Sequence, residues 1–373
     1  MTIYAEATDG RSWLDERSPS PDRDSLDLHQ AYLALGDPAE CPISLKIGRQ
    51  EMNYGDQRFI GVSDWGNIRR AFDAAKVRYE KESFWVDAFV GRVVIPHDEH
   101  FNVANDYDWF SGIYFLSRRL VPKQETEIYF LARNVGAGSP NAIAPGLGGP
   151  GPRDIYTPGL RVRYTPGKFG GWDHGAEVAG QFGNISGDGE RIEHVALAAA
   201  ALAGYTWTNA FGSPRVGVEY TYASGDSDPA DDRHETFELL PGTNHRFYGA
   251  MDLFGLRNIH NPSITFSMKP AKSLSLRLDG LAFWVADGHD FLYPESGSAR
   301  SGNGYGINPQ FDPYVGSELD ILVDYQPRPW VELRLGYGHF FVGDYIKQSV
   351  GSVAANNGAV DGDWFYAQMR FNF

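Results

Sequence analysis

Cationic side chains recur in this chain at alternate positions, and the spacing limits what they can do. Lys76 and Arg78 are two residues apart, as are Arg161 and Arg163, and each pair sits among apolar neighbours. Residues i and i+2 of a strand share a face, so each pair points two cations in one direction. Arg133, Arg277, Arg334 and Arg370, with Lys46 and Arg215, occupy similar settings. Grouped cations of this kind offset the cost of stripping water from a carboxylate, and the planar guanidinium fork matches both of its oxygens. Carboxylates follow the same parity at Asp87, Glu127, Glu177, Glu219, Asp279, Glu318, Asp320, Asp324 and Glu332. Two readings therefore stay open for every arginine: contact with an anionic solute, or a structural pair with a carboxylate across the same face.

Other chemistry is weaker. His97-Asp98-Glu99-His100 offers metal-type ligands, but adjacency on a turn fixes no common face, and a surface turn is the simpler reading. Asp226, Asp228, Asp231 and Asp232 supply oxygen ligands suited to calcium without an EF-hand pattern, so a solvated acidic loop is the plainer account. Carboxylate pairs such as Glu318 and Asp320 suit a glycosidase in principle, yet nothing selects one pair from many. No Gly-rich phosphate cradle or serine elbow stands out. Cys41 is the only cysteine, which excludes an internal disulfide and a cysteine zinc cluster. We therefore expect no catalytic residue, no resident metal and no cofactor.

The elements that must carry these side chains are strands. Leu160, Val162 and Tyr164 alternate with Arg161 and Arg163; Leu319, Ile321, Val323 and Tyr325 alternate with Glu318, Asp320 and Asp324. One face suits lipid and the other water. About sixteen such segments are expected, near 3–9, 26–35, 43–51, 71–80, 83–92, 109–118, 125–133, 155–165, 175–184, 192–206, 214–223, 262–269, 273–286, 317–326, 330–342 and 363–373. Short turns at Glu80–Ser83 and Lys269–Ser273 contrast with long loops near 134–153, 224–261 and 288–315, the asymmetry of an outer-membrane barrel with extracellular loops. No domain boundary interrupts residues 1–373. The longest run lacking both polar residues and glycine, Val195–Ala203, is far short of the roughly 20 apolar residues a spanning helix needs. Aromatic content of 14% with a mean hydropathy of −0.37 fits a barrel with a wet interior. Trp109, Tyr114, Trp207, Tyr222, Trp284, Trp330 and Trp364 are expected in interfacial girdles, with a sugar-stacking track inside the pore as the other reading. The formal charge of −15 argues against a nucleic-acid partner. The rival is a soluble β-sandwich or β-solenoid, whose sheets would also alternate because one face meets water. The C-terminus weighs against it, because Phe365, Ala367, Met369, Phe371 and Phe373 form an apolar row that would template aggregation unless closed into a sheet.

Three stretches carry a family resemblance. The first runs Ile47-Gly48-Arg49-Gln50, Tyr54-Gly55-Asp56-Gln57-Arg58-Phe59-Ile60-Gly61, Trp65 and Arg70-Ala71-Phe72-Asp73-Ala74; the second is Leu240–Gly249 with Met251–Phe254; the third is His339–Tyr345. Together they resemble the alginate export family of outer-membrane porins. The resemblance implies an eighteen-stranded barrel with a signal peptide. Met1–Tyr4 lacks the features of a signal peptide, and Ile3–Trp13 with Asp27–Leu35 resembles the family's third and fourth strands, so the signal peptide and first hairpin are expected to be missing. It further implies a basic constriction conducting a uronate polymer, for which Arg70, Lys76, Arg78, Arg161 and Arg163 are the candidates. Arg49, Gln50, Tyr54, Gly55, Arg58, Trp65 and Asp73 mark a signature loop. Arg49, Arg58 and Asp73 are expected to fix the infolded segment Asn53–Arg69, which is either a gate or merely a folded turn. The function implied is passive passage of an anionic polysaccharide or smaller anions across the bacterial outer membrane. The alternatives are a general diffusion porin and a polysaccharide-active β-protein. Expected partners are lipid and lipopolysaccharide, the anionic solute, periplasmic transport components and the barrel-assembly machinery.

Overall fold

The computed structural model describes residues 1–13, 23–36, 41–97, 100–136, 151–164, 169–187, 190–356 and 358–373. Eighteen strands form one sheet: β1 (Thr2–Gly10), β2 (Asp24–Leu35), β3 (Ile43–Gln50), β4 (Phe72–Lys81), β5 (Phe84–Ile95), β6 (Val103–Ala104), β7 (Asp108–Ser117), β8 (Glu125–Val135), β9 (Arg153–Arg163), β10 (Trp172–Gly187), β11 (Glu190–Thr206), β12 (Arg215–Ala223), β13 (Arg233–His234), β14 (Ile259–Ala271), β15 (Leu274–Val285), β16 (Tyr314–Arg328), β17 (Val331–Val342) and β18 (Gly362–Phe371). Two of them, β6 and β13, are dipeptides on the flanks of β5 and β11. The other sixteen coincide with the segments that alternation marks out, and each pairs antiparallel with the next long strand. Such pairing satisfies the backbone polar groups that hydrocarbon cannot.

Side-chain parity then decides which face meets what. Leu160, Val178, Ile264, Leu319 and Leu335 are 41–55% exposed, and no second layer among the described residues covers them. Their strand neighbours point inward, where Asp87, Glu127, Arg161 and Glu318 are at most 4% exposed. A soluble sandwich reverses this arrangement, so the rows of apolar residues face lipid. Among the connections described throughout, 82–83, 118–124, 207–214, 272–273 and 329–330 lie at one end. At the other end are 51–71, 224–258 and 286–313. Residues 137–150 of the loop Ala137–Pro152, and Asp98 and Glu99 of the His97–His100 run, lie outside the described residues.

Two features depart from the expectations. A helix, α1 (Asp344–Gly351), occupies the last long connection, where it buries Tyr345 and Ser349. Tyr114 and Trp364 are not interfacial: Tyr114 is buried inside the barrel with its hydroxyl on Glu127, and Trp364 meets Trp65 of the infolded segment. Trp109, Trp207 and Trp330 stay exposed.

Among the described residues no ladder joins β18 to β1, but one connection reaches both strands. Arg69 reaches Glu6 of β1 at 2.8 Å, and Trp65 packs edge-on to Tyr366 of β18 at 4.6 Å. One connection, 51–71, thus touches both sides of the seam.

Candidate functional site

Two long connections turn into the barrel rather than away from it, because they carry side chains that water would penalise. Met52, Tyr54, Phe59, Ile60 and Val62 of the first are at most 5% exposed, as are Phe237, Leu239, Leu240, Tyr248, Phe254 and Leu256 of the second. They pack on each other and on inward aromatic residues of the wall, among them Phe72, Phe89, Phe110 and Phe283. The backbones are knitted as well. Gly61 N–H donates to the Pro241 carbonyl and Thr243 N–H to the Gln57 carbonyl, both at 2.9 Å.

Arg70 completes this seam between loops. Its Nη1 donates to the carbonyls of Gly61 at 3.1 Å and Gly242 at 2.5 Å, and burial pushes the guanidinium down to about 10. Arg58 is the deeper anchor. It pairs with Glu219, donates to Tyr248 Oη at 3.1 Å, lies 3.8 Å from Glu177 and stacks over Phe247 at 3.9 Å. Gly55, at φ +56°, lets the chain pass where an added Cβ would come within about 3.1 Å of Glu127, Arg161 and Tyr114. Tyr54 stacks on Tyr114 at 4.5 Å and donates to Asp87 at 2.7 Å. Arg49 forks onto Asp73 at 2.8 and 3.1 Å and also reaches the Asn102 carbonyl. Gln50, fully buried, donates to the Ala74 carbonyl at 2.9 Å. Trp65 lies flat on His245 at 4.0 Å, which joins the two infolded segments a second time.

The wall cations divide into two groups. Arg78 forks onto Asp87 at 2.6 and 2.8 Å, and Lys76 stands 3.6 Å from the same carboxylate. Arg133, 1% exposed, is held by Asp108 at 2.8 Å and by the Leu239 carbonyl at 3.1 Å. Arg161 bridges Glu127 at 2.7 Å and Asp56 at 2.8 Å. These four, like Arg70, are engaged in holding loops and wall together. The second group lines a cavity of about 570 Å³ between the infolded segments and strands β9, β11, β12 and β14–β18, where Arg163, Arg215, Arg246, Arg277 and Arg334 face Asp56, Glu219, Asp279, Asp320 and Asp324. Arg277 is paired with Asp279 at 2.6 Å, Arg334 with Asp324 at 2.5 Å, and Arg215 with Asp173 at 2.7 Å. Arg370 lies near the short-turn end, 3.5 Å from Glu332 and away from the cavity.

Two guanidiniums keep spare capacity. Arg163 lies 3.9 Å from Asp56, and its buried Nη1 meets no hydrogen-bond acceptor among the described residues. Arg246, exposed on the second infolded segment, has no carboxylate partner among the described residues and stands 5.7 Å over the Phe247 ring. Burial pushes Asp56 up, but Arg161 and Arg163 outweigh it and hold the carboxyl below its ordinary value. Opposite them, Glu318 accepts Met251 N–H at 2.9 Å and Asp320 accepts Ala250 N–H at 3.1 Å. These carboxylates hold the turn at Gly249, where φ is +95° and an added Cβ would sit 2.5 Å from the Glu318 carboxyl group. Arg246, His245 and Tyr248 come from a connection with no strand period, so parity gave no signal for them. The only mark was their place in the second family-like stretch.

The acidic run is occupied with its own turn: Asp228 caps Ala230 N–H and Asp231 caps Arg233 N–H. Among the described residues no three His, Cys, Asp or Glu side chains gather as a metal-binding set.

Comparison with known proteins accords with this architecture. A family profile described as "Alginate export" matches residues 1–360. A search of curated proteins returns no match. Similar solved structures include Pseudomonas aeruginosa OccD3, with a TM-score of 0.57, 13% identity and coverage of 93% of this chain and 78% of that one. Acinetobacter baumannii OccAB4 gives 0.55, 12%, 95% and 79%. Pseudomonas aeruginosa OccK2 in complex with glucuronate gives 0.54, 12%, 93% and 82%. At such identity the likeness is one of fold, that of outer-membrane β-barrel porins.

Proposed function

Because the chain belongs to the alginate export family and is a pore of the bacterial outer membrane, we propose that its solute is an anionic sugar, either a uronate polymer or a smaller carboxylate. The observation that carries this reading is the pair Arg163 and Arg246. They line the cavity with guanidiniums that no carboxylate among the described residues fully satisfies, while Arg277 and Arg334 are already engaged. A carboxylate entering there exchanges water for charge-assisted hydrogen bonds, whereas a neutral solute gains none. OccK2, of the same fold, was captured with glucuronate, which is a sugar carboxylate. Lipopolysaccharide surrounds such a barrel; polymer-handling periplasmic components and the assembly machinery would be its protein partners. A pore does no work, so direction follows from what supplies or removes the solute.

The second reading, a general diffusion porin, draws on the balanced charges of the cavity wall. Planar bilayers under a salt gradient separate the two. With anion preference the reversal potential moves toward the chloride equilibrium value and oligouronate blocks the current; a diffusion porin shows neither. Arg163→Ser with Arg246→Ser should remove most of the shift and weaken block about tenfold or more, since each charged hydrogen bond is worth about 1.5–3 kcal/mol. Unchanged selectivity and block in that double variant would take both arginines out of the site.

A further inference from the structure

Beyond the β12 rim, the hairpin of β10 and β11 continues upward: β12 ends at Ala223 opposite Ala198, while β11 starts at Glu190. In the place β12 vacates, the dipeptide β13 lies parallel to β11, with His234 beside His194. His194 is fully buried, and the two Nδ1 atoms are 3.0 Å apart. Two nitrogens at that distance share one proton, so one ring donates and the other accepts.

The neighbours settle which. Glu238 N–H donates to Gln181 Oε1 at 2.8 Å and Gln181 Nε2 donates to the Glu238 carbonyl at 2.9 Å, which fixes the amide orientation. Oε1 is therefore an acceptor, and His194 Nε2, 3.1 Å away, must carry the proton that meets it. A neutral His194 protonated on Nε2 leaves Nδ1 as a lone pair. His234 Nδ1–H donates to it. A proton added to His194 Nδ1 places N–H against N–H, and one added to His234 Nε2 brings a positive charge into a buried site that already holds Arg257 and Arg153.

We propose that His194 and His234 form a proton-operated latch that docks the connection 224–258 onto the β10–β11 hairpin, closed while both rings are neutral and released when the pair takes up a proton. The connection is the one whose next residues, from Phe237 onward, fill the lumen, so release at β13 loosens the constriction. The charged groups facing the pair are Glu238 and Asp290, which together with the His234 carbonyl favour a proton, and Arg257 and Arg153, which oppose it. Both arginines are already bound to Glu238, at 2.6 and 2.5 Å, so that carboxylate is not free to neutralise a new charge. Arg233, outside the pair, is drawn off toward Glu193 at 3.6 Å and Glu235 at 3.9 Å. Burial holds His234 below its ordinary value. The sign follows: a docked state that binds fewer protons than the released one is favoured above the ordinary histidine value of about 6.5 and loses ground as pH falls below it.

Two measurements on the full chain test the latch, and only the second rests on the pore reading. In detergent micelles at about pH 7.5, ¹⁵N imidazole shifts should show His194 protonated at Nε2 and His234 at Nδ1; the opposite assignment, or free tautomer exchange in both rings, overturns the proposal. In planar bilayers, conductance should rise by at least about twofold between about pH 7.5 and pH 5. His234→Asn keeps an N–H donor toward His194 Nδ1 without a titrating ring, so it should leave the neutral-pH conductance alone and abolish the rise. A rise of the same size in His234→Asn, or no rise in the unsubstituted protein, overturns the proposal even where anion selectivity is intact.

Discussion

Arginine is the residue whose role the sequence could least decide. Arg133, Arg161 and Arg163 share the same inward parity, yet Arg133 is closed off by Asp108, Arg161 is shared between two carboxylates, and only Arg163 keeps an unused donor. Pairing depends on which neighbour a loop brings in, and Asp56 arrives from a connection that has no period to read. The distinction has measurable consequences. Arg133→Met leaves Asp108 buried without its cation, an effect of about 3–5 kcal/mol, and should lower the temperature at which the barrel's heat-modifiable gel band converts while leaving ion selectivity nearly unchanged. Arg246→Ser should do the reverse, weakening selectivity at unaltered thermal stability, because its guanidinium is exposed and forms no ion pair among the described residues.

The strands were legible almost throughout, since greasy and charged residues alternate cleanly in segments such as β9, β16 and β17. Where that contrast fails, so does the reading. In β7 both Trp109–Phe110 and Ile113–Tyr114 are aromatic or aliphatic on the two faces, so Tyr114 could not be assigned inward from its neighbours. Trp364 was a different error, because parity with Tyr366 already placed it inside. The infolding of 236–258 was hidden because its apolar residues follow the shape of a cavity instead of a repeat. At this scale Arg58 is the decisive contact for the first infolded segment, with Glu219, Glu177 and Tyr248 all gathered on it. Arg58→Met strands two carboxylates in a half-dry site. The expected result is a loosened segment, read as larger and noisier single-channel openings by at least about twofold and as new protease cleavage within 51–71.

Taken whole, the molecule is a wall of paired strands whose interior is partly filled by its own connections, leaving a charged cavity beside them. The claim on which everything else depends is that apolar positions of the long strands meet lipid and their neighbours meet the water-filled interior. Site-directed spin labels placed singly along Val331–Val342 of β17, in protein reconstituted into lipid vesicles, test it most directly. Labels at Leu335, Tyr337 and Phe341 should be accessible to oxygen dissolved in the bilayer, and labels at the inward, partly exposed Glu332 and Arg334 to a water-soluble relaxant. Uniform access of the water-soluble relaxant along both faces, or no alternation at all, would contradict a membrane-spanning barrel and remove the pore with it.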